Sequence, residues 1–210
     1  MPSPAVMLPA MLVAVLLVPA PAGLAAGEPG ENPEAIGPEE YEIYNRIVES
    51  KFLTSDTSMV LIQELTATRL GPSGLPFSPE WFEENQFFDG RVPGSLVADF
   101  LFKTRKPSRL TATFDFGARY RLIPRDEGQQ ERLSLPLSPM VRAIQSFSGT
   151  ILLEFSRVAF TPKEDLGLVY VGNERPDGTG AGMLLLLRRS NRAWDFVDTE
   201  IVWTVRESEP

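Results

Sequence analysis

The chain has 210 residues, 43 % of them hydrophobic, and a formal net charge of −8 at pH 7. That is enough apolar material for the core of one ordinary domain, and the wrong sign for nucleic acid or anionic lipid, both of which attract basic faces. There is no cysteine and no histidine, which excludes disulfides, thiolate nucleophiles, zinc–thiolate sites, a lipidated cysteine, and Ser-His-Asp or Cys-His catalysis.

No Ser-x-x-Lys occurs, so nucleophilic catalysis by a serine–lysine pair has no motif either. Met1 to Ala26 carries no charged side chain and contains Met11-Leu-Val-Ala-Val-Leu-Leu-Val18, then Pro19, Pro21 and Ala22-Gly-Leu-Ala-Ala26. The apolar run is shorter than the roughly 20 residues of a membrane-spanning helix. Small residues at Gly23 and Ala25 suit cleavage after Ala25 or Ala26. Residues 1–26 are expected to be a secretory signal peptide, giving an exported, periplasmic or extracellular protein with no stable membrane anchor after cleavage. Residues 27–37, rich in Pro, Gly and Glu, are expected to form a flexible leader, and 38–206 one folded domain.

Pro38-Glu39-Glu40 has proline and acids where a helix N-terminus favours them. Tyr41, Tyr44, Ile47, Val48 and Phe52 follow at three- and four-residue spacing, an apolar face that would pack on a sheet. Thr57 to Thr68 reads as a strand with Met59, Leu61, Leu65 and Ala67 on one parity, and Gly71 to Pro76 as a loop. Ser78-Pro79-Glu80 starts a short helix with Ser78 as N-cap, carrying Trp81 and Phe82. Phe87 and Phe88 would anchor the chain before a turn at Asp89-Gly90. Pro93 to Lys103 suits a second short helix with Leu96, Val97, Phe100 and Leu101 inward.

Arg109 to Ile123 alternates more regularly than any other stretch, with Leu110, Ala112, Phe114, Phe116, Ala118, Tyr120 and Leu122 on one side, and predicts a long half-buried strand. Pro124 to Gln130 is a polar loop. Ser138-Pro139 would cap a short helical stretch with Val141, Ile144 and Phe147.

The last third holds four apolar runs: Ile151 to Phe160, Leu166 to Asn173, Met183 to Arg188, and Trp194 to Val205. The first changes phase near Ser156-Arg157 and the last near Asp198, which predicts β-bulges or two-sided burial. Leu166 to Val171 is apolar on both parities and belongs at the sheet centre. Asn191 suits the left-handed position of a tight hairpin. Short connections between these runs imply an antiparallel meander. The expected fold is α+β: an antiparallel sheet of five or six strands, including the C-terminal β-meander, with an N-terminal helix and short helices packed on one face. A cystatin-like or nuclear-transport-factor-like cone is the nearest analogue, by analogy alone.

Phe155-Ser156-Arg157-Val158-Ala159-Phe160, Leu168-Val-Tyr-Val-Gly-Asn173, Gly180-x-Gly182, the leucine-rich run and Trp194 and Trp203 together resemble a family of uncharacterised bacterial exported proteins. The resemblance covers roughly the last sixty residues and implies no activity. Proteins of this kind tend to carry two cysteines in the Gly-rich loop. Here that loop is Glu174-Arg-Pro-Asp-Gly-Thr179, so a disulfide or redox role is absent.

Gly178-Thr-Gly-Ala-Gly182 leads into a strand, whereas a dinucleotide loop leads into a helix. It reads as a hairpin needing positive φ or close backbone packing. Asn173, Glu174 and Asp177 lack the register of a calcium loop. No catalytic residue, metal ligand or cofactor is therefore assigned. If Arg157, inside an apolar strand, is buried together with one of Glu154, Asp195, Asp198 or Glu200, the two form a structural ion pair, the commoner case, or a recognition site. The candidate binding residues are Arg157, Asn173, Glu174, Arg175 and Asp177. A non-catalytic domain binding a protein partner or small ligand is the leading expectation. One alternative is a carrier with an apolar cavity lined by Tyr44, Phe114, Phe116 or Tyr120. The other is a carboxylate-dependent hydrolase, although no motif marks Glu80, Glu83 or Asp99.

Overall fold

The computed structural model describes residues 35–71, 73–124, 149–175, 179–191 and 193–206. The signal segment, the leader up to residue 34, nearly all of the polar loop, the helical stretch expected after Ser138, and Asp177 lie outside the described residues.

Helix α1, Pro38–Ile47, passes into a π turn, Val48–Phe52. The expected stripe of Tyr41, Tyr44, Ile47, Val48 and Phe52 is buried, as the spacing requires, and Ile43, not part of that stripe, is buried with it. Strands β1 (Met59–Gln63), β2 (Arg69–Leu70) and β3 (Leu75–Pro76) follow, the last two forming a separate ribbon. Helix α2, Pro79–Asn85, begins where Ser78 Oγ accepts the Trp81 N–H at 3.2 Å, the expected cap. A 3-10 turn, Phe87–Gly90, buries both phenylalanines, and α3, Gly94–Lys103, buries Leu96 and Phe100. The remaining strands are β4 (Tyr120–Ile123), β5 (Thr150–Phe155), β6 (Ala159–Phe160), β7 (Leu166–Glu174), β8 (Gly180–Ser190) and β9 (Ala193–Val205).

The fold is α+β, with a seven-stranded sheet in the order β4-β1-β5-β7-β8-β9 and β6 beside β7. Three expectations need correction. The main sheet has seven strands, not five or six, because the short β6 adds to β7 and β4 joins beside β1. The sheet is mixed: β1 pairs in parallel with both β4 and β5, and only from β5 through β9 is it antiparallel. Short connections imply antiparallel neighbours only where they are short. Between Gln63 and Thr150 the chain makes a long excursion and returns by crossover, the route parallel pairing needs. Helices also cover both faces, not one. On β7 and β8, Val169, Val171, Leu185 and Leu187 face α1, while Leu168, Tyr170, Leu184 and Leu186 face α2 and α3. Two-sided cover explains why β7 is apolar on both parities.

The stretch from Arg109 to Ile123 is a strand only from Tyr120 onward. Leu110, Phe114 and Phe116 are buried as the alternation suggests, but against α1 rather than in a ladder, while Ala112 is exposed. Side chains of α1 replace the missing sheet bonds. Tyr41 Oη accepts the Thr111 N–H at 2.8 Å, and Asn45 Oδ1 accepts that of Asp115 at 3.0 Å. The strand expected from Thr57 to Thr68 likewise ends at Gln63, and Ala67 N–H continues singly to Phe155 O at 2.7 Å.

The phase breaks are bulges. Phe155 pairs with Val171 and Ala159 with Leu168, so residues 156–158 oppose only Val169 and Tyr170. On β9, Val197 and Val202 are the inserted residues, because Phe196 and Asp198 pair with consecutive Leu187 and Leu186, and Ile201 and Trp203 with Met183 and Gly182. Asn191 has φ 50°, the expected left-handed hairpin position.

Candidate functional site

The bulge after β5 points Arg157 into the protein, where it is 4 % exposed. Its partner is Glu40 in the first turn of α1, not any of the acids of the last strands. Nη2 lies 2.7 Å from Glu40 Oε1 and Nε 3.0 Å from Oε2, while Nη1 donates to Ser108 Oγ at 3.1 Å. Glu40 Oε2 also accepts the Val158 N–H at 2.8 Å. Tyr44 gives its one proton to Ser156 O at 2.9 Å, with Glu40 Oε2 3.3 Å away. Burial, then the neighbouring Glu40, pushes this phenol well above its ordinary pKa, so it stays neutral. The cluster clamps the start of α1 onto the bulge. Of the acids weighed as partners of Arg157, Glu200 accepts Phe88 N–H at 3.0 Å, Asp198 accepts Thr199 N–H at 2.8 Å, and Glu154 meets Tyr170. Glu40 was legible only as an acid in a helix first turn. A buried arginine demands an acid, but local sequence does not say which.

On the α2–α3 face, Glu154, Gly172, Gly182 and Trp203 form one row across β5, β7, β8 and β9. A Cβ at Gly172 would press on the Glu154 side chain, and one at Gly180 or Gly182 on the Trp203 indole. The glycines make a trough in which these side chains converge on Tyr170. Its hydroxyl accepts from Trp203 Nε1 at 2.9 Å and Gly71 N at 3.1 Å, and donates to Glu154 Oε1 at 2.9 Å. One donation and two acceptances satisfy a phenol. Burial first, then Glu154, raises its pKa well above the ordinary value, so it is no base. Gly180-x-Gly182 serves close packing, as expected.

A groove of about 410 Å³ lies at the hairpin end of β7, β8 and β9, lined by Asn173, Arg175, Thr179, Gly180, Ala181, Thr204, Val205 and Arg206. Asn173, Ala181 and Thr204 are register partners on the face that, further along, packs on α1. The hairpin is closed by Arg175 N–H to Thr179 O at 2.8 Å. Asn173 Oδ1 is buried and has no hydrogen-bond partner among the described residues. Among the described residues that line the groove are two arginines and no acid, in a chain whose net charge is −8.

Of the candidate binding residues, Asn173 and Arg175 therefore meet in one groove. Glu174 pairs with Gly180 and Leu152 and projects from the opposite face, and Arg157 is buried in the ion pair. Thr179, Thr204 and Arg206 join the groove without having been singled out. Thr179 arrives through the β7–β8 hairpin, but Thr204 and Arg206 arrive only with β9, which no local spacing reveals.

The other chemistries also have places in the fold. Tyr44 lies 4.8 Å from Phe155 and 6.1 Å from Phe114, and Phe116 lies 5.5 Å from Tyr120, centroid to centroid, so the rings expected to line a cavity pack on one another. Glu80 is exposed, its pKa lowered by the helix-start N–H and by Ser78, opposite to what a general acid needs. Asp99 accepts Phe160 N–H at 2.8 Å and pairs with Lys103 at 3.0 Å. Among the described residues no cluster of three acidic side chains is placed to hold a metal ion, and no helix is long and apolar enough to cross a membrane. No protein-family model, curated protein or solved structure matches this chain.

Proposed function

We propose that this chain is an exported, non-catalytic binding protein, of the kind its C-terminal pattern resembles, and that it holds a small anionic ligand in the groove of Asn173, Arg175, Thr179, Thr204 and Arg206. The observation that carries the proposal is the meeting of Arg175 and Arg206 in one concave site. Arginine presents several N–H donors in a fixed fork and suits carboxylate or phosphate. Asn173 Oδ1 is not met by a carboxylate, which only accepts; a bridging water or a protonated phosphate oxygen supplies its donor. Among the described residues of the groove no acid or other general base stands beside the Thr179 and Thr204 hydroxyls, so the chemistry we assign to it is to bind and orient.

Titration with phosphate and short carboxylates, followed by amide chemical shifts, tests this. The expected result is saturable shifts centred on Ala181 and Thr204, weakened at least tenfold in the Arg175→Gln/Arg206→Gln double variant at unchanged melting temperature. Both arginines are on the surface at the end of their strands, so stability should hold. Equal binding by the double variant would sink the proposal. Export is tested by mass spectrometry of the secreted chain, whose first residue is expected to be Ala26 or Gly27. A chain retaining Met1 would count against it.

A further inference from the structure

Resting on the anion-groove reading above, we infer that the ligand is an amphiphile, an alkyl carboxylate whose head sits between Arg175 and Arg206 and whose tail lies over Met183 and Ile201. The register carries the argument. On the groove face, the Ala181–Thr204 pair is followed by the Met183–Ile201 pair, with Val202 bulged out between Ile201 and Trp203. The next pair, Leu185–Thr199, has Leu185 fully buried in the core under α1. The cover supplied by α1 therefore ends between Leu185 and Met183.

Ile201, directly beyond that limit, is 65 % exposed, more than any other large hydrophobic side chain among the described residues. Met183 beside it is partly buried and packs against the edge of the core. A lone exposed isoleucine is ordinary. By register this one lies on the same face as Ala181 and Thr204, which line the groove together with Arg175 and Arg206. The surface thus changes from cationic to apolar along one face of a hairpin. Residues two apart on a strand are about 6.7 Å apart. Two such steps, about 13 Å, separate the Thr179 level from the Met183 level, which is the reach of a medium-length alkyl chain. The bulge at Val202 favours this arrangement, because without the inserted residue the parity of Ile201 would turn it to the other face.

The probes that separate head from tail are butyrate, octanoate, octanol and phosphate, each titrated into the protein with amide shifts and Kd as readouts. Octanoate is expected to bind roughly tenfold more tightly than butyrate, since each methylene half-buried on an open surface contributes less than full burial would. Its shifts should extend from Thr204 to Met183 and Ile201. Ile201→Ser, a surface change whose folding is checked by melting temperature, should abolish the gain from chain length and leave butyrate binding unchanged. Equal Kd values for butyrate and octanoate, or an unchanged chain-length dependence in Ile201→Ser, would overturn the amphiphile inference while leaving the anion groove standing. Octanol binding as tightly as octanoate, or no binding by any of the probes, would remove both.

Discussion

Replacing Arg157 with methionine is expected to lower the stability of the fold by about 3–5 kcal/mol. The loss comes less from the missing attraction than from what remains. Glu40 would keep a carboxylate that is 3 % exposed beside Tyr44 and Val158, with no counter-ion. Ser108 Oγ would also lose its donor. Lysine should not rescue the site, because one ammonium cannot reproduce the forked contact of Nε and Nη2 with both carboxylate oxygens. The compensating change is Glu40→Leu in the same chain, since removing both charges is far less costly than removing one. Urea unfolding, with the midpoint shifting at constant slope, measures each variant. A cost below about 1 kcal/mol for Arg157→Met, the range of exposed pairs, would mean that the pair does not clamp α1 to the bulge.

Tyr170→Phe is expected to cost about 2–3 kcal/mol, the upper part of the range for a buried polar group left without its partner. The ring would still fill its place beside Phe77, 5.3 Å away, so little packing is lost. Two donors, Gly71 N–H and Trp203 Nε1–H, would lose the acceptor on which they converge. Trp203 and Gly71 are both partly exposed, and the indole, held by its side chain alone, is the freer of the two to turn toward water. Loss of order at Trp203 should therefore accompany the change, visible as a red shift of tryptophan emission and weaker near-ultraviolet circular dichroism. An unchanged Trp203 environment would show that the glycine trough, rather than the hydroxyl, holds the indole.

The parts of the fold readable from sequence are those decided by neighbours in the chain. The stripe from Tyr41 to Phe52 needs only the 3.6-residue period. The Ser78 cap needs one side chain three residues from its donor, and the Asn191 hairpin needs one residue tolerant of positive φ. The phase breaks at Ser156-Arg157 and Asp198 are equally local, because an inserted residue inverts the parity of everything after it. Arg109 to Ile123 shows where this fails. Alternation reports which side chains are buried, not whether the backbone finds a strand to pair with. Here Tyr41 and Asn45 supply partners in place of a ladder.

The candidate site divides in the same way. Asn173 and Arg175 could be named because polar residues closing an apolar strand are visible in the sequence. Their partners Thr204 and Arg206 could not, because they arrive on β9 after a hairpin and two bulges. Glu40 and Arg157 lie 117 residues apart, and either of them has several possible partners on paper. The sequence by itself determined the helices, the bulges, the centrality of β7 and the chemistries excluded by the missing histidine and cysteine. Only the tertiary structure decided the parallel half of the sheet, the cover on both its faces, the partner of Arg157 and the groove at the hairpin end. Periodicity is a property of adjacent residues, whereas these are pairings between distant segments, selected by how the whole chain buries its surface and satisfies its polar groups.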